Sequence, residues 1–145
     1  MELRDLLNNH LLINAMAAWA MAQIIKTIIY AATNKTLEWE RLFGDGGMPS
    51  GHSATVTALA VTAGLEYGLG SPYFALAATL AVIVMHDAMG VRLEAGKHAK
   101  ALNELLELLS SDLETDIKLK ELLGHTPMQV VVGALLGLVV ALILQ

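Results

Sequence analysis

The chain has 145 residues, a net charge of −5 and no cysteine, so a single domain is expected and disulfides and thiolate metal sites are excluded. Apolar residues make up 55% and charged residues only 16%, where a soluble domain carries about 25% charged. The acidic balance, with no basic stripe interleaved with aromatics, excludes nucleic acid as a partner.

In chain order, the first residues, Met1-Glu2-Leu3-Arg4-Asp5, carry no basic cluster, and no small-residue cleavage site follows the first apolar run, so no signal peptide is expected. Four long apolar stretches follow, at Leu11–Thr33, Ser53–Leu69, Pro72–Val91 and Pro127–Leu144. Each approaches the ~17–25 residues that a helix needs to cross a hydrocarbon core. A soluble helix keeps a charged face, and these four largely lack one. The expected fold is therefore all-α: an integral membrane helical bundle of about four transmembrane helices, residues 1–145 forming one membrane domain. The stretch between the third and fourth spans, about 94–123, repeats Leu102, Leu105, Leu106, Leu109, Leu113, Ile117 and Leu122 at helical spacing among Glu and Lys. Ser110-Ser111-Asp112 interrupts it, and Ser111 with Glu114 reads as a capping box. This segment is expected to form a cytoplasmic amphipathic helical hairpin.

Four spans put both termini and the Gly68–Pro72 turn on one side and the two long loops on the other. Of nine basic residues, seven (Lys35, Arg41, Arg92, Lys97, Lys100, Lys118 and Lys120) fall in the long loops, Arg4 falls opposite, and Lys26 lies inside the first span. Positive loops stay in the cytoplasm. The expected location is the cytoplasmic membrane, with both termini outside.

Two loop-to-helix junctions on the cytoplasmic side carry histidine: Gly46-Gly47-Met48-Pro49-Ser50-Gly51-His52-Ser53 and Gly124-His125-Thr126-Pro127. A helix N-terminus offers unpaired N–H groups and partial positive charge, hence an anion site. Gly46 and Gly47 permit a tight turn, Pro49 fixes φ, and Gly51 permits close approach of a ligand. Ser50, Gly51, His52 and Ser53 are expected to present successive N–H groups to an anion. Thr126 can cap the last span, and Pro127 suits its first turn. Either histidine alone reads equally as a surface residue; as a pair they point to a phosphate site. Lys26, about two turns inside the first span, can snorkel to the interface or reach a phosphate there. Arg92 offers a planar fork for phosphate oxygens beside His86 and Asp87, which can pair with it or with a histidine. Arg41 is a further candidate upstream of the glycine loop. No HExxH or paired HxxxH zinc motif, no GxSxG elbow and no Walker GxxxxGK is present, and no metal or cofactor is expected. Gly133-Ala134-Leu135-Leu136-Gly137 is a small-xxx-small motif that reads as close helix packing or as a homo-oligomer face.

Pro49-Ser50-Gly51-His52, with Gly124-His125-Thr126-Pro127 and the Gln129–Gly137 run after it, resembles the type 2 phosphatidic acid phosphatase superfamily, which includes the vanadium-dependent haloperoxidases. Gly46–Ala54 and Asp87-Ala88-Met89-Gly90-Val91-Arg92 look like its small divergent membrane branch. The resemblance spans about Gln23 to Gly137. It implies a membrane phosphatase acting on a lipid phosphate monoester, phosphatidic-acid-like or isoprenoid, through a phosphohistidine. His125 would be the nucleophile and His52 the acid and base. Lys26, Arg92, Ser50 and Gly51 would hold the phosphate, with Asp87, Gln129 and Arg41 in support. The chain departs from the pattern at Leu119, where the superfamily usually has arginine, and at Gln129, where it usually has aspartate. The first motif's lysine and Arg-Pro are not at their usual spacing either. The alternative is a non-catalytic membrane protein that binds anionic lipid headgroups or phosphate at the same place. In both readings the partners are membrane lipid and a phosphorylated lipid.

Overall fold

A computed structural model describes residues 3–36, 47–109, 119 and 124–145. All six elements among the described residues are α-helices: α1 (Leu3–Leu7), α2 (His10–Asn34), α3 (Gly51–Tyr67), α4 (Pro72–Met89), α5 (Val91–Leu109) and α6 (Pro127–Leu144). Local chemistry sets the ends. Asn9, Ser50, Ser71 and Thr126 each accept a hydrogen bond from the backbone N–H three residues on, as N-cap side chains do. Pro72 and Pro127 occupy the first turns of α4 and α6, where a missing N–H costs nothing. Lys35 in the left-handed conformation closes α2.

The distribution of side-chain size identifies the solvent. The core is built from Ala18, Ala22, Ala54, Ala58 and Ala141 with Val140, while the large apolar residues point outward, Ile28 being 62% and Leu76 71% exposed. Water would demand the reverse. In lipid the hydrophobic effect does not separate helix from helix, so small residues that let backbones approach take the interior. Among the described residues, three helical stretches are long and apolar enough to cross a membrane: α2, α6, and the run from α4 into α5. The chain is a helical membrane bundle. The second expected span, α3, has 17 residues and is the central helix, packed against α2, α4 and α6. Its flanks meet protein more than lipid, so it needs less apolar length of its own. A fully buried hydrogen bond from Asn14 Nδ2 to Thr62 Oγ1, 3.0 Å, joins α2 to α3 inside the apolar layer.

Two boundaries differ from the sequence reading. The third span ends at Met89, where Gly90 breaks the helix, and α5 begins at Val91 rather than near residue 94. α5 is the amphipathic helix expected there. The Ser110–Asp112 break, the Ser111/Glu114 box and the rest of the hairpin's second half lie outside the described residues, except that Leu119 exchanges both backbone hydrogen bonds with the Asn103 side chain, each 2.9 Å.

Gly133 and Gly137 face α3 of the same chain. A Cβ at Gly133 would land on the Ser50 carbonyl oxygen and the Ser53 side chain, and one at Gly137 on the Ala54 backbone. Both glycines are buried in this contact. Of the two roles read for this motif, close helix packing is the one seen within the chain: α3 rests on both glycines.

Candidate functional site

The α3–α6 contact brings the two histidine segments together at the end of the bundle where α2 and α4 finish. Ser50 N–H donates to the Gln129 carbonyl oxygen (3.1 Å), tying the first turn of α3 to that of α6. His125 N–H donates to the carbonyl of Ala88 (2.9 Å), the next-to-last residue of α4. Gly124, at φ +82°, lies against the Arg92–Leu93 backbone, where a Cβ would come within 2.6 Å of Leu93 Cα. The glycine before His125 is thus required twice, by its conformation and by its neighbour.

Gln129 fixes the orientation of the second ring. Its Oε1 accepts from Thr126 N–H (3.0 Å) and lies 3.2 Å from His125 Nδ1. Because the Thr126 N–H must meet an acceptor, the amide oxygen faces this way, and Nδ1 must carry a proton to bond it. In that neutral tautomer the ring lone pair lies on Nε2. The same Gln129 completes a capping box with Thr126, whose Oγ1 accepts from Gln129 N–H.

The rings of His52 and His125 stand edge to face, centroids 6.0 Å apart. Both line a cavity of about 350 Å³, with Lys26, Gln23 and Trp19 from α2, Gly51, Thr55 and Val56 from α3, and Val84 from α4. Lys26 and His125 are nearly buried, at 7% and 4% exposed. Gly47, at φ +79°, packs over the Lys26 stem, where a Cβ would lie 3.2 Å from Cγ. Two smaller grooves adjoin. One, about 210 Å³, runs from His52 and Val84 to Asp87 and Arg92. The other, about 200 Å³, leads from Lys26 past Ile29, Tyr30 and Met48.

Of the residues singled out in the sequence, Lys26, Gly51, His52 and His125 converge on the cavity. Ser50 does not line it. This residue is fully buried as the cap of α3, its Oγ accepting from Ser53 N–H and its own N–H committed to Gln129. The expected row of four N–H donors is corrected accordingly: those of Ser50 and Ser53 have protein partners. Arg92 sits in the adjoining groove rather than on the cavity wall, with Nε 2.9 Å from Asp87 Oδ2 and both side chains about half exposed. Arg41 lies outside the described residues, as do Gly46, Lys118 and Lys120. Trp19, Gln23, Thr55, Val56 and Val84 were missed. The first two had a signal: they precede Lys26 by seven and three residues, which places all three on one helical face.

A helical membrane bundle with paired histidines at one mouth is the class that this geometry defines. The family model for the divergent PAP2 family matches residues 7–140, and the chain belongs to that family. It is 41% identical to the uncharacterized membrane protein YuiD of Bacillus subtilis (strain 168), over 97% of this chain and 96% of that protein. No solved structure matches it.

Proposed function

We propose that the protein is a phosphatase that removes phosphate from a lipid phosphate monoester through a phosphohistidine. The observation that carries this reading is the placement of two imidazoles 6.0 Å apart on one cavity wall with a buried lysine. His125 Nε2 attacks phosphorus as the P–O bond to the alcohol breaks, and His52, protonated, gives its proton to the departing oxygen. Neutral His52 then takes a proton from water as the water oxygen attacks phosphorus. The P–N bond breaks, phosphate leaves, and His125 is regenerated. Lys26 and the N-terminal end of α3 offset the charge on the non-bridging oxygens, which is most of what phosphoryl transfer requires of a protein. Arg92 adds positive charge from the side groove.

The test is phosphate release by the purified protein from a panel of lipid phosphates, beside His125→Ala. Wild type should also accumulate an acid-labile, base-stable protein phosphate that the variant lacks. Full activity in a folded His125→Ala protein sinks the reading. Gln129, in place of a carboxylate that would stabilise an imidazolium, favours a second one: a site that binds phosphate or a lipid headgroup without turnover. Vanadate or phosphate stabilising the protein, with no release from any substrate, would select it.

A further inference from the structure

Gln23 reaches the cavity one helical turn deeper than Lys26. It is 7% exposed, and its Oε1 is buried with no hydrogen-bond partner in the protein. A buried carbonyl oxygen left unsatisfied is rare and costly, and because Gln23 lines the cavity, a turn of its amide toward a ligand donor there would relieve it. Its position says which part of the ligand. With the phosphoryl group held by Lys26, His52 and His125, three residues of helix rise put Gln23 about 4.5 Å further in. That is close to the reach from phosphorus to a hydroxyl on the carbon next to the ester carbon. A lipid phosphate enters with its alcohol on the deeper side, because its tails lie in the hydrocarbon.

We infer that Gln23 selects substrates whose phosphate-bearing alcohol carries a free hydroxyl or amine beside the ester carbon, Oε1 accepting the hydrogen bond from that group. Isoprenoid phosphates and diacylated glycerol phosphates have no donor there and leave the oxygen orphaned. Sites built to bond a substrate hydroxyl discriminate strongly against the analogue that lacks it. This inference deepens the phosphatase reading where it concerns turnover and stands independently where it concerns binding.

The experiment compares oleoyl lysophosphatidate with its deoxy analogue, in which the free secondary hydroxyl is replaced by hydrogen. Affinity is read from the fluorescence of Trp19, which lines the cavity, in a Trp39→Phe background carrying His125→Ala so that nothing is cleaved; phosphate release is measured in parallel on the otherwise wild-type chain. The hydroxyl-bearing lipid should bind about tenfold or more tightly, and Gln23→Leu should collapse that preference while leaving the deoxy lipid's affinity unchanged. Equal affinity for the two lipids in the Gln23 protein overturns the inference, whatever happens to turnover and whether or not Gln23→Leu folds. Preferential binding with no phosphate release upholds Gln23 and sinks the phosphatase reading. Equal binding with equal release from both does the converse.

Discussion

Gln129 serves two donors with one oxygen, and that makes it the most informative single position for separating orientation from charge. Gln129→Leu removes the acceptor for both Thr126 N–H and His125 Nδ1–H. It should lower kcat about 10–100-fold with a smaller change in KM, and cost about 1 kcal/mol through the lost cap. Gln129→Glu keeps an acceptor in place and should restore turnover. Its carboxylate also favours the imidazolium, so the pH at which His125 loses its added proton should rise, and a pH–rate profile would move upward with it. An unchanged profile together with full rescue would mean that position 129 only caps the helix. Lys26→Met should weaken inhibition by phosphate or vanadate about tenfold, read by competition against any cleaved substrate. The two histidines and the lysine were legible in the sequence because polar residues at helix mouths and inside apolar spans stand out. The roles of Ser50 and Arg92 were not. Whether an N–H or a guanidinium faces a ligand depends on which protein group reaches it first, and that is a tertiary matter settled here by Gln129 and Asp87.

At the scale of helices, the site is a product of the α3–α6 seam. Gly133 rests on the Ser50 carbonyl and the Ser53 side chain, so widening the seam would pull the two histidine segments apart. Gly133→Val should destabilise the bundle by about 1–3 kcal/mol through overpacking, while Leu135→Val, on the outward face, should be close to neutral. Thermal melts in a single detergent would check this. Equal melting temperatures would show that the seam relaxes freely. The long helices were legible from apolar length alone, and the ends of α4 and α6 fall within about two residues of the apolar stretches read for them. The choice between a packing and a dimer role for Gly133 and Gly137 was not legible, because a small-residue stripe accepts a neighbouring helix from the same chain or from another equally well.

For the molecule as a whole, the charge bias of the sequence predicts that α5 and both histidine mouths face the cytoplasm, and the lack of cysteine makes that prediction simple to check. Gly70→Cys sits in open space in the turn before α4, and Lys97→Cys lies on exposed α5. A membrane-impermeant maleimide applied to intact cells should label the first and spare the second; the opposite pattern would invert the topology. Bundle height has a separate consequence. Helices α3, α4 and α6, of 17, 18 and 18 residues, are about 26–27 Å long, shorter than a hydrocarbon core of ~30 Å. Such a mismatch is relieved by local thinning of the bilayer. On the proposed reading, a thinned leaflet would bring lipid headgroups toward the level of His52 and His125, so a lipid phosphate would reach both rings without leaving its own monolayer. On the proposed phosphatase reading, acyl-chain length in the surrounding membrane controls turnover, and reconstitution into progressively thicker bilayers should slow phosphate release while the affinity for free phosphate stays the same.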